Sequence, residues 1–200
     1  MTDIVIAGIG QTEAGEHWGI SLRELAYKAI KGALDDSSAL KPQALFVGNM
    51  LSLNLSNQAH LGALLADYAG LTGIEAVTVE AAGASGGAAL RQAYLAIASG
   101  MLDVALVVGV EKFTDKVGPD VDSAVSTATD SDYEAMQGMT TTAQAALLMR
   151  RYMHENNVPA DGFSGFALNA HANGAGNQFA MFRKAIKPEA YARAEMISEP

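Results

Sequence analysis

An α/β fold, with a mostly parallel sheet covered by helices on both faces, is predicted by three observations. Over the first 110 residues, short apolar runs alternate with helical periods of apolar side chains. Connections between such runs leave room for crossover helices, as parallel strands require. One predicted helix is built of small residues on nearly all sides, which suits a place inside a layered structure. Composition agrees: 50% of the chain is hydrophobic and only 18% is charged, against roughly 25% charged in soluble domains. A full core and a subunit interface are both within reach.

The elements follow in order. Asp3 to Ile9 reads as a buried strand. Leu22, Leu25, Ala26, Ala29, Ile30, Ala33 and Leu34 then fall on one helical face, and Ser21-Leu22-Arg23-Glu24 opens that helix as a capping box. Ala44 to Met50 is a second strand. Asn57 to Ala69 is a helix that Gly70 stops. Ala76 to Glu80 is a third strand, Ala84 to Ser99 the small-residue helix, ended by Gly100, and Asp103 to Val110 a fourth strand. Residues 111 to 138 carry Pro119 and acidic residues at 111, 115, 120, 122, 130, 132 and 134, and read as a loop-rich excursion. A helix from about Thr141 to Asn156 follows, with Thr141 as its cap, then a shorter one from Pro159 to Ala172 weakened by Gly162 and Gly165. Residues 173 to 200 read as irregular and then extended, stopping at Ser198-Glu199-Pro200 without a closing strand.

Acidic residues outnumber basic ones, 22 to 13, for a net charge of −9. That argues against a nucleic-acid groove, which needs clustered Lys and Arg against phosphate, and against a polybasic membrane anchor. The chain has no cysteine, so disulfides, zinc thiolates and a cysteine nucleophile are excluded. Neither a signal peptide nor a run of about 18 apolar residues is recognisable, so a soluble cytoplasmic protein is the expectation.

Three groups of residues invite a chemical reading. Gly8-Ile9-Gly10 follows a strand, but Glu13 stands at the third glycine position of a dinucleotide fingerprint and the helix starts too late to face a pyrophosphate. A plain strand-end turn fits better. In Val79-Glu80-Ala81-Ala82-Gly83-Ala84-Ser85-Gly86-Gly87 a strand turns directly into the small-residue helix. Residue 83 then sits where unpaired N–H groups and the positive end of the helix dipole converge, a place that stabilises a thiolate or an oxyanion. Gly86 and Gly87 remove side chains where a ligand or another backbone would press, and close packing alone accounts for them equally well. Ser85 has no base near it in sequence and suits a helix-start hydroxyl. The histidines, His17, His60, His154 and His171, are not at metal-ligand spacing, and no metal site is expected. Met139 heads the post-loop helix as a core residue or as a pocket wall.

The residues quoted above carry a resemblance. Val79 to Ala93, Ala96 to Gly100, and Asp103 to Val110 with Glu111-Lys112 closely resemble the thiolase superfamily, in its archaeal and sterol-carrier-protein-type branch. Val47-Gly48-Asn49-Met50, Met139 to Gln144 and Phe166 to His171 extend the likeness over nearly the whole chain. The resemblance implies two similar halves, each a five-stranded sheet between helix layers, with the nucleophilic helix buried between them. It implies carbon–carbon bond formation or cleavage beside an acyl thioester, with coenzyme A as substrate or product and no covalently bound cofactor. It further implies a homo-oligomer, a dimer or dimer of dimers pairing around the third strand, or a second polypeptide that carries the C-terminal half. Residues 1–112 would be the N-terminal half of the fold, and 113–200 a loop domain that helps bind coenzyme A, with the closing strand and second half absent.

One departure bears on chemistry. The position of the family's acyl-carrying cysteine is Gly83 here, so no acyl-enzyme forms on it. What the resemblance leaves at this position is a backbone N–H as oxyanion donor, with Ser85, Gly86 and Met139 as substrate-binding positions. The glycine fits a change that traps substrate in a thiolase, a cysteine-independent retro-aldolase acting on acyl-CoA, a non-catalytic acyl-CoA- or lipid-binding relative, or a plain structural glycine. The expectation adopted is thiolase-type acyl-CoA chemistry with a substituted nucleophile position, with the retro-aldolase and then the binding or assembly protein as alternatives.

Overall fold

The computed structural model describes residues 3–199. Met1, Thr2 and Pro200, where the sequence stops without a predicted closing strand, lie outside the described residues. The chain forms two compact units: residues 3–12 with Glu16–Ala124, and Glu13–Gly15 with residues 125–199.

The first unit is the predicted α/β layer structure. Strand β1 (Ala44–Gly48) lies between β2 (Glu75–Val79) and β3 (Ala105–Gly109), parallel to both, with Phe46 opposite Val77 on one side and Val107 on the other. Every residue of β1 is buried, because helices cover both of its faces. Leu45 and Val47 point to a core with Leu22, Ala26 and Ile30 of α1 (Leu22–Asp36) and Leu61 and Leu65 of α3 (Leu61–Tyr68). Ala44 and Phe46 point the other way, to Ala89 and Ala93 of α4 (Ser85–Ala98). The chain reverses direction across the sheet as it changes face, so its two crossovers share one hand.

Local chemistry explains the element ends. The capping box forms as read: Glu24 N–H donates to Ser21 Oγ at 3.3 Å, and Ser21 N–H donates to Glu24 Oε2 at 2.7 Å. A short helix, α2 (Ser52–Leu55), follows β1, and α3 starts later than its apolar run because His60 is left-handed, with φ of 59°. Gly62 of α3 brings that helix against β2: a Cβ there would stand 2.7 Å from Val77 N.

Two expectations fail in this unit. Asp3 to Ile9 is no strand: it lacks a ladder partner among the described residues, and Val5, Ile6 and Ile9 are exposed. It is held to α1 instead. A Cβ on Gly8 would lie 2.6 Å from Ala33 O, and Ile9 N–H donates to Asp36 Oδ2 at 2.9 Å. Nor is α4 buried all round. Ser85, Ala89 and Ala93, four residues apart, pack on the sheet, while Leu90 and Tyr94 are each 53% exposed. Small side chains secured one close face, and nothing among the described residues of this unit covers the other.

The acidic excursion contains a helix, α5 (Pro119–Ser126). Pro119 is its first residue rather than a breaker, since a first-turn N–H has no helical partner to lose. In the second unit α6 (Thr141–Asn156) has the predicted span, but its cap is Thr140, whose Oγ1 accepts from Ala143 N–H at 3.2 Å. The next helix, α7 (Ser164–Ala175), begins later than read, because residues 159–163 are engaged in turns such as Gly162 N–H to Pro159 O at 2.9 Å. Helix α8 (Pro188–Ala192) falls in the stretch expected to be irregular. Ala146 is the one buried apolar side chain among the described residues of this unit, and Phe163 stacks on Phe166 with the Tyr152 ring tilted against Phe163. No helix of the described residues is long and apolar enough to cross a membrane.

Candidate active site

The junction from β2 to α4 is built to hold an unusual backbone. Ala81 has φ of −158° and ψ of 46°, and Ala82 has φ of 47° in the left-handed region. For a residue with a Cβ that conformation costs about 1–2 kcal/mol. Local hydrogen bonds hold it. Ser85, only 6% exposed, accepts from Ala81 N–H at 2.9 Å and donates to Ala82 O at 2.7 Å. Ala84 N–H donates to Ala81 O at 2.9 Å, and Ala82 N–H donates to Glu80 Oε1 at 2.5 Å. Every polar backbone atom of Ala81 and Ala82 is thus engaged. The N–H of Gly83, next in line, has no acceptor among the described residues.

The head of α4 lies against the carboxyl ends of β1 and β3, the end of a parallel sheet where α/β proteins bind ligands. A Cβ on Gly48 would stand 2.7 Å from Gly86 Cα, Gly86 N and the Ser85 carbonyl carbon, and one on Gly109 would be 3.7 Å from Gly86 Cα. Gly83, Gly86 and Gly87 are different. A Cβ on any of the three would meet nothing within 4 Å, and none has a positive φ. Neither backbone conformation nor packing demands glycine at 83, so the glycine leaves free space beside an unpartnered N–H.

Gly83, Ser85 and Gly86 therefore share one turn. Met139 belongs to the second unit, half-buried between Gly138, with φ of 74°, and the Thr140 cap of α6. His171 Nδ1 lies 3.1 Å from Lys184 O with its ring tilted over Phe182, and His60 sits at the left-handed start of α3.

A polar cluster that motif reading missed joins the strand ends. Asn49, 5% exposed, donates through Nδ2 to Val110 O at 2.8 Å and to Glu111 Oε1 at 2.9 Å, and its Oδ1 accepts from Ser52 N–H at 3.0 Å. Glu111 Oε2 accepts from Met50 and Leu51 N–H at 3.2 and 3.0 Å. The buried Lys112 ammonium pairs with Asp115, which also takes the Ser56 hydroxyl at 2.5 Å. Asn49 and Glu111, and Ser56 and Asp115, lie about sixty positions apart in the chain, so no local pattern announces them.

Burial pushes the Asp115 carboxyl up, but the hydrogen bonds from Lys112 and Ser56 and the Lys112 charge outweigh it and hold it below its ordinary 3.8. A depressed folded pKa means the stabilisation is complete above 3.8 and is lost as pH falls through the lower folded value. Urea melts taken between about pH 2 and pH 5 are expected to show a shallower acid loss for Asp115→Asn than for the unaltered protein. Parallel acid limbs would contradict the staple.

Residues 4–196 match the thiolase N-terminal domain family model. This chain belongs to the thiolase family. It is 37% identical over its whole length to an acetyl-CoA acetyltransferase of Methanothermobacter thermautotrophicus and 39% identical to one of Methanocaldococcus jannaschii, covering 52% and 51% of those proteins. Among solved structures it is similar to a chain of an "Ltp2-ChsH2(DUF35) aldolase", with a TM-score of 0.76 and 25% identity over 98% of this chain and 50% of that one. The chain thus spans about half the length of the curated relatives it matches. The thiolase fold read from the resemblance is borne out, and the similarity to a chain of a solved aldolase stands beside the similarity to acetyl-CoA acetyltransferases.

Proposed function

We propose that this chain supplies the acyl-CoA-facing half of an enzyme that makes or breaks a carbon–carbon bond beside a thioester without an acyl-enzyme at residue 83. The single observation that carries the reading is Gly83 itself: an unpartnered N–H, at a helix head, beside open space that no fold constraint requires. Retro-aldol cleavage suits it best. A base outside this turn takes the 3-hydroxyl proton of a 3-hydroxyacyl-CoA. The new carbonyl forms as the bond between carbons 2 and 3 breaks, and its electrons move to the thioester oxygen. The Gly83 N–H holds that enolate oxygen, and protonation at carbon 2 releases the shorter acyl-CoA with a ketone or aldehyde. Ser85 shapes the turn and Gly86 keeps the approach clear. Met139, in the loop domain of residues 113–200, is kept as a substrate-binding position on the family resemblance alone. The similarity to a solved aldolase supports this chemistry. The outer edge of β2, unpaired among the described residues, supports a homo-oligomer that pairs there, and a second half, in the same or another polypeptide, brings the base.

The second reading, thiolysis, is favoured by the identity to two acetyl-CoA acetyltransferases. Assays of the complete protein separate the two. Retro-aldol chemistry predicts cleavage of 3-hydroxyacyl-CoA without free coenzyme A. Coenzyme-A-dependent cleavage of a 3-oxoacyl-CoA by the unaltered protein would establish thiolysis instead. Tight coenzyme A binding with neither reaction, and no deuterium exchange into acetyl-CoA, would mark a binding protein.

A further inference from the structure

We propose that Glu80 and Ser85 are positioning residues, which clamp Ala82 in its left-handed conformation and thereby aim the Gly83 N–H at the thioester oxygen. The inference rests on the reading of Gly83 given above and goes past it to the residues that make the donor usable.

A peptide N–H points where the two dihedrals before it send it. The Gly83 N–H direction is set by the ψ of Ala82 and, one step back, by its φ of 47°. Alanine left to itself abandons that region for the right-handed or extended ones. In this turn it is gripped from both sides. The Glu80 carboxylate holds its N–H at 2.5 Å, and the Ser85 hydroxyl holds its carbonyl oxygen at 2.7 Å while accepting from Ala81 N–H at 2.9 Å. The two grips differ in kind. Ser85 is buried and acts from inside α4, whereas Glu80 is exposed and reaches back over the turn. Neither uses its group on anything else among the described residues, and both bonds act on the same peptide unit or its neighbour. Glu80 also places a negative charge beside a donor meant for a developing oxyanion, which by charge alone is unfavourable. Its presence at this point fits a geometric task.

The test uses the complete protein with acetyl-CoA labelled with carbon-13 at its carbonyl, a thioester with no 3-hydroxyl to cleave. Isotope-edited infrared difference spectra report the hydrogen bond to that carbonyl, and deuterium exchange at the methyl group reports enolate formation. In the unaltered protein the carbonyl band moves to lower frequency on binding. In Glu80→Ala and in Ser85→Ala the shift falls to less than half. Exchange slows by about 10- to 100-fold, the scale of an ångström-sized misplacement, while acetyl-CoA affinity changes by less than about threefold. Glu80→Gln keeps an oxygen acceptor for Ala82 N–H and retains the shift. In an Ala82→Gly background, where φ near 47° carries no penalty, Glu80→Ala costs less than about threefold.

A carbonyl band that moves fully in Glu80→Ala and Ser85→Ala overturns the proposal and leaves the role of Gly83 intact. So does a Glu80→Gln variant as slow as Glu80→Ala, or a Glu80→Ala loss undiminished by Ala82→Gly, since each would make charge rather than backbone geometry the cause. An unaltered protein that binds the thioester without moving its band overturns both the proposal and the reading of Gly83 beneath it.

Discussion

Gly48→Ala is expected to destabilise the first unit by about 3 kcal/mol or more, the upper end for overpacking a core. Gly48 ends β1 with backbone on every side. The added methyl would lie 2.7 Å from two atoms of Gly86 and from the Ser85 carbonyl carbon. None of these is a flexible side-chain tip, so relief requires either the strand or the helix head to move. The strand is held by ladders on both edges, with Gly48 in register with Val79 and Gly109. The helix head therefore yields, taking the Ser85 hydroxyl away from Ala81 and Ala82. Gly83→Ala is the matched control. It adds the same methyl where nothing lies within 4 Å, and a helix-start alanine in place of glycine is close to neutral. Urea midpoints at constant slope measure the difference. Equal midpoints for the two variants would mean that the close approach of α4 to β1 is not a stability determinant.

Those two glycines also show what the sequence could and could not disclose. Both sit in runs that resemble thiolases, yet only the fold reveals that Gly48 is demanded by a backbone contact and Gly83 by none. Signals contained within one turn of chain were legible. Ser21 and Glu24 satisfy each other three residues apart, and the apolar stripe of α1 needs no partner to be recognised. The alternation of strands and helices was legible for the same reason. Failures came where a distant partner decides the outcome. Val5, Ile6 and Ile9 have the composition of a strand, but a strand exists only if another lies beside it, and the described residues place α1 there instead. The burial of α4 was inferred from small residues on all sides, whereas small residues guarantee only that a face can be approached, not that it is. Residues 111 to 138 were read as a loop-rich excursion, and Pro119 proved to begin a helix there. At the site, Gly83 and Ser85 were located by the strand-to-helix turn. Ala82 was invisible because no alanine advertises a left-handed conformation, and the Asn49–Glu111 and Ser56–Asp115 contacts join segments that sequence spacing does not relate.

Gly83→Cys should convert the site from a non-covalent to a covalent one. The space is available, since the first side-chain atom meets nothing within 4 Å, so the cost to folding stability should stay below about 1 kcal/mol, as for a tolerated change outside a packed core. The thiol would stand at the head of α4, where the helix dipole and free N–H groups favour a thiolate. A pKa well below the free-cysteine value of about 8.5 follows. Alkylation by iodoacetamide should then already be near its maximum at neutral pH, and incubation with acetyl-CoA should leave an acetyl group on the protein, visible as an increase in intact mass. The same sulfur would fill the volume in which the proposed enolate oxygen approaches the Gly83 N–H. Cleavage of 3-hydroxyacyl-CoA should therefore fall by at least about 100-fold, comparable to losing an oxyanion donor, as acyl transfer appears. The two changes must occur together if residue 83 is the point at which the thioester is held. A cysteine that stays protonated and unacylated while 3-hydroxyacyl-CoA cleavage continues unimpaired would place the thioester elsewhere, and the free N–H at the head of α4 would then be a feature of the turn alone.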